Sequence, residues 1–287
     1  MYGQPTQLPS LQSGSPVFAL ARSRVLTWRQ IVPVHRLPVV TKTPLLIALG
    51  VYLSGGTFSP RAVGITMLLS AALWTVLYTL NEATDLEAEK RLIVPRPIKI
   101  TLYTLPFLIC AAAGWHSAVQ LVPFSLLTLG QILYCAPGLR LKRYWWGAIL
   151  LSGTMNPVMR LQCGVLWGAH ALHPLIYISF ILLHLGSALR TRTLLRDRDR
   201  KRGYTAIPAG GEWVGMACTF FGYIGALGVC WVGRLPWIVT ALVALAGGFG
   251  LYAWSGREKR LDRLRRGWMA FAVAALIALI ALCVRGS

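Results

Sequence analysis

The sequence predicts an all-α fold: a polytopic membrane bundle of nine transmembrane helices with its N-terminus in the cytoplasm. Three observations predict it. Of 287 residues, 55% are hydrophobic and only 13% charged, a balance foreign to soluble globular chains. The apolar residues gather into runs of about 20, the length a helix needs to cross a hydrocarbon core. The 29 Lys and Arg collect in short clusters between those runs. The net charge of +20 raises nucleic acid as a partner, but no basic domain or aromatic RNA-binding motif accompanies it, so no nucleic acid is expected.

Residues 1–42 are expected to form an N-terminal tail and an interfacial segment, and residues 43–287 the transmembrane domain. The tail is polar and contains Pro and Ser, without the basic start, apolar core and small-residue cleavage site of a signal peptide. Around Val25 to Val34 the chain becomes apolar, and Trp28 and Arg29 suit the headgroup level. The nine spans are then placed near 43–60, 62–83, 98–115, 118–136, 145–167, 174–194, 213–232, 235–254 and 267–284. Pro44, Gly50, Gly55 and Gly56 interrupt the first.

Charge orients the bundle. Five Lys and Arg precede the first span, four lie in 84–99, three in 140–143, seven in 190–202 and six in 257–266. With nine helices all of these fall on one side, and the opposite side holds only Arg61, Arg234 and Arg285. Positive charge stays in the cytoplasm, so that side is assigned as cytoplasmic. The six cysteines are scattered through apolar runs with no CxxC pair, which favours buried small hydrophobes over a disulfide framework or zinc site. His170 and His173 lie in an outward loop without a nearby carboxylate and read as loop residues.

The chemistry lies where acids are concentrated. NEATDLEAEKR, Asn81 to Arg91, ends the second span and holds Glu82, Asp85, Glu87 and Glu89, four of the nine carboxylates. Asn81, Asp85 and Glu89 are spaced i, i+4, i+8 and share one helix face. Glu82 adds another oxygen donor beside them. Hard cations such as Mg²⁺ bind through one or two carboxylates together with substrate phosphates. The alternative is a solvated loop stabilised by Glu and Lys pairs. RTLLRDRDRKRGYTAIP, Arg192 to Pro208, ends the sixth span on the same side and contributes Asp197 and Asp199. Asn81, Glu82, Asp85, Glu89, Asp197 and Asp199 are therefore the candidate metal ligands. Two acidic segments ringed by Arg and Lys suit a metal-bridged diphosphate.

Within the fifth span, SGTMNPVMRLQCG places Asn156, Arg160 and Gln162 at membrane depth. An Arg there is costly to insert, by ~2.5–3.5 kcal/mol, and normally faces a polar cavity. Asn156 and Arg160, one turn apart, should line one face. The structural alternative is an Arg satisfied by carbonyls freed near Pro157.

These segments resemble the UbiA superfamily of intramembrane prenyltransferases. Asn81 to Glu89 is similar to the family's NDxxDxxxD motif, with Glu in place of Asp at two positions. Asp197 and Asp199, followed by Gly203, Thr205 and Pro208, stand where the family has DxxxDxxxG. Arg91 to Pro97 resembles its basic RP stretch, and Tyr134 to Lys142 a fourth motif. One departure is plain: aligned on Asp199, the partner Asp one turn earlier is Leu195 here, while Asp197 lies about 200° round the helix. Arg192, Arg196 and Arg200 form a basic stripe that is read either as membrane anchoring or as diphosphate contact.

The resemblance implies an enzyme that uses Mg²⁺, with Mn²⁺ as the other candidate, to ionise an isoprenyl diphosphate and transfer the prenyl group to an aromatic or lipid-like acceptor. It implies catalytic roles for Asn81, Asp85, Asp199 and Arg160, and substrate contacts for Arg91, Arg96, Tyr134, Lys142, Asn156 and Arg196. The mouth of the site would face the cytoplasm, with membrane lipid around the bundle. Trp74, Tyr78, Tyr103, Trp145 and Trp146 are candidate aromatic faces for an allyl cation. A terpene cyclase of the same superfamily, in which the cation attacks its own chain, and a transporter remain as other readings.

Overall fold

The computed structural model describes residues 37–57, 59–88, 93–136, 138–201 and 203–232, with a few helical positions between 240 and 284. These residues fold as helices and connecting loops. Helix α1 is Leu37–Leu53. A π-helical turn, Pro60–Gly64, leads into α2, Ile65–Ala88. Helices α3, Arg96–His116, and α4, Leu121–Cys135, follow. The fifth span is composite: α5, Trp145–Ile149, a π-helical turn over Leu150–Met155, and α6, Asn156–Val165. Then come α7, Pro174–Leu194, the short α8, Arg196–Lys201, and α9, Gly211–Val232.

Among the described residues, five helical stretches are long and apolar enough to cross a membrane: Pro60–Glu87, Arg96–His116, Ala118–Cys135, Pro174–Leu194 and Gly211–Trp231. They match five of the expected spans to within a few residues. The first span differs, because α1 begins at Leu37 and stops at Leu53 instead of running from 43 to 60. Gly55 adopts the left-handed region (φ 66°), and its N–H and that of Gly56 return to the Tyr52 and Val51 carbonyls, which closes the helix before Pro60 is reached. The eighth and ninth spans and the tail to residue 36 lie largely or wholly outside the described residues.

Sequence accounts for the local geometry. Pro occupies the first turn of α3 and α7 and of the first π turn, where its missing N–H costs nothing. Pro157 denies the Gly153 carbonyl its i+4 partner, and the turn ahead of it opens into π geometry. Hydroxyls in the spans donate back to carbonyls four residues earlier, as from Thr75 to Ala71 and from Thr79 to Thr75, which satisfies them within their own helix. Leu68, Leu108, Val122, Leu129 and Phe221 are exposed, as lipid-facing residues should be.

Helices approach most closely at glycines. A methyl group on Gly164 would collide with the Ile47 carbonyl, and one on Gly50 with the Leu161 carbonyl, so α1 and α6 cross backbone to backbone. Gly153 meets α7 in the same way, its Cβ position 3.1 Å from Ala188 Cβ. Gly186 faces Gly215 and Thr219 where α7 packs on α9. Small residues take this role in membranes because apolar burial alone does not separate a helix neighbour from lipid.

Gly164→Ala and Gly50→Ala are expected to lower the thermal unfolding temperature of the detergent-solubilised protein, each through ~1–3 kcal/mol of overpacking. Gly64→Ala, whose Cβ would meet nothing within 4 Å, should leave it unchanged.

Candidate active site at the polar end of the bundle

The last turn of α2, the loop after α4 and the end of α7 converge at one end of the bundle. The loop after α4 makes the tightest structure. Gly138 has φ 98° and Arg140, exceptionally for a non-glycine residue, φ 37°. Arg140 is held there by its N–H to the Ala136 carbonyl (2.9 Å) and by its guanidinium, which donates to the Thr84 carbonyl at 2.6 Å. The 3₁₀ turn Leu141–Arg143 that follows turns Lys142 inward, where it is 3% exposed.

The Lys142 ammonium sits at a convergence of oxygens from one turn of α2. It lies 2.6 Å from Asp85 Oδ1 and donates to Asn81 Oδ1 and Thr84 Oγ1, each at 3.1 Å. The buried Cys135 thiol donates to the same Asn81 oxygen at 3.3 Å. Leu80, Ala83, Val94, Ile98 and Leu102 floor this cluster, and a Lys99–Glu87 ion pair ties α3 to α2 beside it.

A second cluster faces it from α7 and α8. Arg192 donates to Asp199 Oδ2 at 3.0 Å and to the Tyr134 hydroxyl at 2.9 Å. Tyr134 neighbours Cys135 on α4, so the two clusters meet through adjacent residues. Asp199 is 3% exposed. The chain beyond α8 is laced to the loop after α4: Thr205 N–H donates to the Arg143 carbonyl (2.8 Å), and its hydroxyl accepts from Trp145 N–H (3.0 Å).

The structure thus brings together Asn81, Asp85, Tyr134, Lys142 and Asp199. Glu82 is half-buried on the same turn as Asn81, while Glu89 and Arg91 lie outside the described residues. Three expected contributors stand apart. Asp197 is exposed, on the other side of α8 from Asp199. Arg196 is directed to Glu212, at 4.0 Å, and Arg96 is exposed at the start of α3. Sequence reasoning passed over Arg140, Thr84 and Cys135. All three lie inside the quoted motifs, Thr84 in the first and Cys135 and Arg140 in the fourth.

Deeper in the bundle, Arg160 is 7% exposed and its guanidinium stacks 3.5 Å from the centroid of Trp74, with Tyr78 packed against that ring. Asn156, 6% exposed, lies one turn away on the same helix. Arg160 Nε and Asn156 Oδ1 are both buried without a hydrogen-bond partner. At the opposite end His173 caps α7, accepting from Leu175 N–H at 3.3 Å, a role in chain geometry.

The oxygen set of Asn81, Thr84 and Asp85 fits a hard cation, because it already converges on the positive charge of Lys142. The Asp199 cluster does not offer such a set: Leu195 brings no oxygen, and the carboxylate is engaged by Arg192. Among the described residues no group of three His, Cys, Asp or Glu side chains forms.

The fold is similar to that of a solved UbiA homologue from Archaeoglobus fulgidus. Its structure bound to DMAPP and Mg²⁺ superimposes with a TM-score of 0.67 at 15% identity, covering 86% of this chain and 97% of that one. The form bound to GPP and Mg²⁺ gives 0.61 over the same shares, and the form bound to Cd²⁺ gives 0.64 over 88% and 99%. The chain therefore has the UbiA fold. No protein-family model and no curated protein sequence matches it.

Removing Asp85 strands the buried Lys142 ammonium, and removing Lys142 leaves a partly buried carboxylate without its cation. Lys142→Met and Asp85→Asn should each destabilise the protein measured without added metal or diphosphate. The double variant should recover ~1.5–3 kcal/mol relative to the sum, read from chemical denaturation in detergent.

Proposed function

We propose that this chain is a prenyltransferase of the UbiA superfamily, an integral membrane enzyme that ionises an isoprenyl diphosphate and passes the prenyl group to a hydrophobic, aromatic or lipid-like acceptor. The observation that carries the reading is the meeting of two cations, the buried Lys142 and the half-buried Arg192, with Asn81, Asp85, Tyr134 and Asp199 at one end of a largely apolar bundle. A diphosphate with a hydrocarbon tail fits that division.

Mg²⁺ would be held by Asn81 and Asp85, with Glu82 and Glu89 as further candidates, and supplies Lewis-acid charge to the leaving diphosphate when bound. Lys142, on its flexible stem, gives up Asp85 and turns its ammonium to a phosphate oxygen. Arg192 keeps its place and presents its remaining N–H groups to the same leaving group. As the allylic C–O bond breaks, its electron pair goes to the diphosphate, and these fixed cations stabilise the charge that develops there. Tyr78 offers a π face below the mouth, the ring of Trp74 being covered by Arg160, and the surrounding apolar core excludes water that would otherwise capture the cation. The acceptor then bonds to the allylic carbon and loses a proton.

Arg160 and Asn156 favour transfer over cyclisation. Arg160 Nε, over Trp74, and Asn156 Oδ1, one turn away, are buried without partners, and a hydrocarbon tail alone would leave them unmet; an acceptor carrying a hydroxyl can accept from the first and donate to the second. The charge pattern puts the diphosphate mouth at the cytoplasmic face.

Membranes containing the protein, incubated with prenyl diphosphates of several lengths with and without Mg²⁺, are expected to release diphosphate and form a prenylated product only with an added acceptor. A cyclic hydrocarbon formed without acceptor would replace this reading by the cyclase, and no consumption under any condition would dismiss both. Asp85→Asn and Asn81→Ala should reduce turnover by about 100-fold or more, as loss of a metal ligand does. Lys142→Ala should raise the KM for the diphosphate by about tenfold, and exposed Arg96 by less than about threefold on the same change.

A further inference from the structure

The two acidic segments are not equivalent, and the difference lies in their cations. Lys142 meets side-chain oxygens of three residues of one helical turn, and its point charge sits on four rotatable bonds. When it withdraws, a full donor set remains. Arg192 is clamped instead. Its planar fork bonds Asp199 on α8 and Tyr134 on α4 at once, and its side chain is 12% exposed. If it withdrew, one carboxylate would remain, because the residue one turn earlier is Leu195, Asp197 points away and Arg196 reaches toward Glu212.

We infer that Arg192 is a built-in counter-cation that takes the place of a divalent metal at the second acidic segment, so that this chain binds an isoprenyl diphosphate with one metal ion, held at Asn81 and Asp85, and one fixed guanidinium. The inference rests on the functional reading above and names how its site neutralises charge. A dication beside Asp199 would stand against the guanidinium already there, a like-charge contact in a poorly solvated place. A guanidinium has five N–H donors; the contacts to Asp199 and Tyr134 leave others for phosphate oxygens. Of the basic stripe, Arg192 alone is assigned this role, since Arg200 is exposed and Arg196 is drawn to Glu212.

Equilibrium dialysis of the purified full chain in detergent, with Mn²⁺ and inorganic diphosphate as probes, counts both ligands per chain. One Mn²⁺ per bound diphosphate is expected. Asp85→Asn should abolish the ion, and Asp199→Asn should keep it with an affinity within about threefold, a range typical of a site not touched. Arg192→Gln should weaken diphosphate by about tenfold, the loss expected of a charged hydrogen bond, at unchanged metal count. Arg192→Gln combined with Leu195→Asp should admit a second Mn²⁺. Should Arg192→Gln fail to give monodisperse protein, Arg192→Gln with Asp199→Asn removes both buried charges and must show the same loss of diphosphate affinity. Two ions in the unaltered protein, one of them lost in Asp199→Asn, would overturn the inference while leaving the functional reading intact. Failure to bind diphosphate at all would sink both.

Discussion

A lysine buried at the end of a membrane bundle is the constraint on which this site depends. An ammonium removed from water is tolerated only where several oxygens replace its hydration, and Lys142 has Asp85, Asn81 and Thr84. Each partner is fixed by something else. Asn81 and Asp85 share a helix face, the Thr84 carbonyl receives Arg140, and Arg140 holds the left-handed turn that aims Lys142 inward. The energetic need to satisfy one charge thereby ties the end of α2 to the loop after α4.

The rest of the bundle is arranged to deliver these groups without exposing polar backbone to lipid. Close crossings at Gly50 with Gly164, and at Gly186 with α9, let the helices pack by shape where apolar burial gives no preference over lipid. Pro157 and the π turn before it set the register of α6, so that Asn156 and Arg160 share a face and Arg160 lies over Trp74. A cation stacked on a ring is compatible with a hydrophobic interior in a way that an isolated charge is not. The same ring therefore settles Arg160 and stands below the polar mouth.

Much of this was legible in the sequence because membranes simplify the code. Length and hydropathy placed the spans 98–115, 118–136 and 174–194 within two residues of the helical stretches found, since lipid forces every backbone group into helical bonds. The concentration of acid at Asn81 to Glu89 and at Asp197 and Asp199 marked the segments that meet at one end. The end of α1 was not legible, because glycines within a span and glycines that close a helix look alike until φ is known. Nor could spacing alone decide which member of the Arg192, Arg196 and Arg200 stripe turns inward. That choice comes from Tyr134, a residue 58 positions away on another helix. Lys142 was marked as a substrate contact by the resemblance alone, and its burial follows from the turn at Arg140.

We propose that Lys142 and Arg192 together receive a diphosphate between the two acidic segments. An experimental structure of the protein with Mn²⁺ and a thiodiphosphate analogue of a short isoprenyl diphosphate tests it most directly. Both phosphorus atoms should lie between the Lys142 ammonium and the Arg192 guanidinium, with Lys142 detached from Asp85 and the hydrocarbon chain running toward Trp74. Phosphorus found elsewhere on the bundle, with the Lys142–Asp85 pair unbroken, would contradict it.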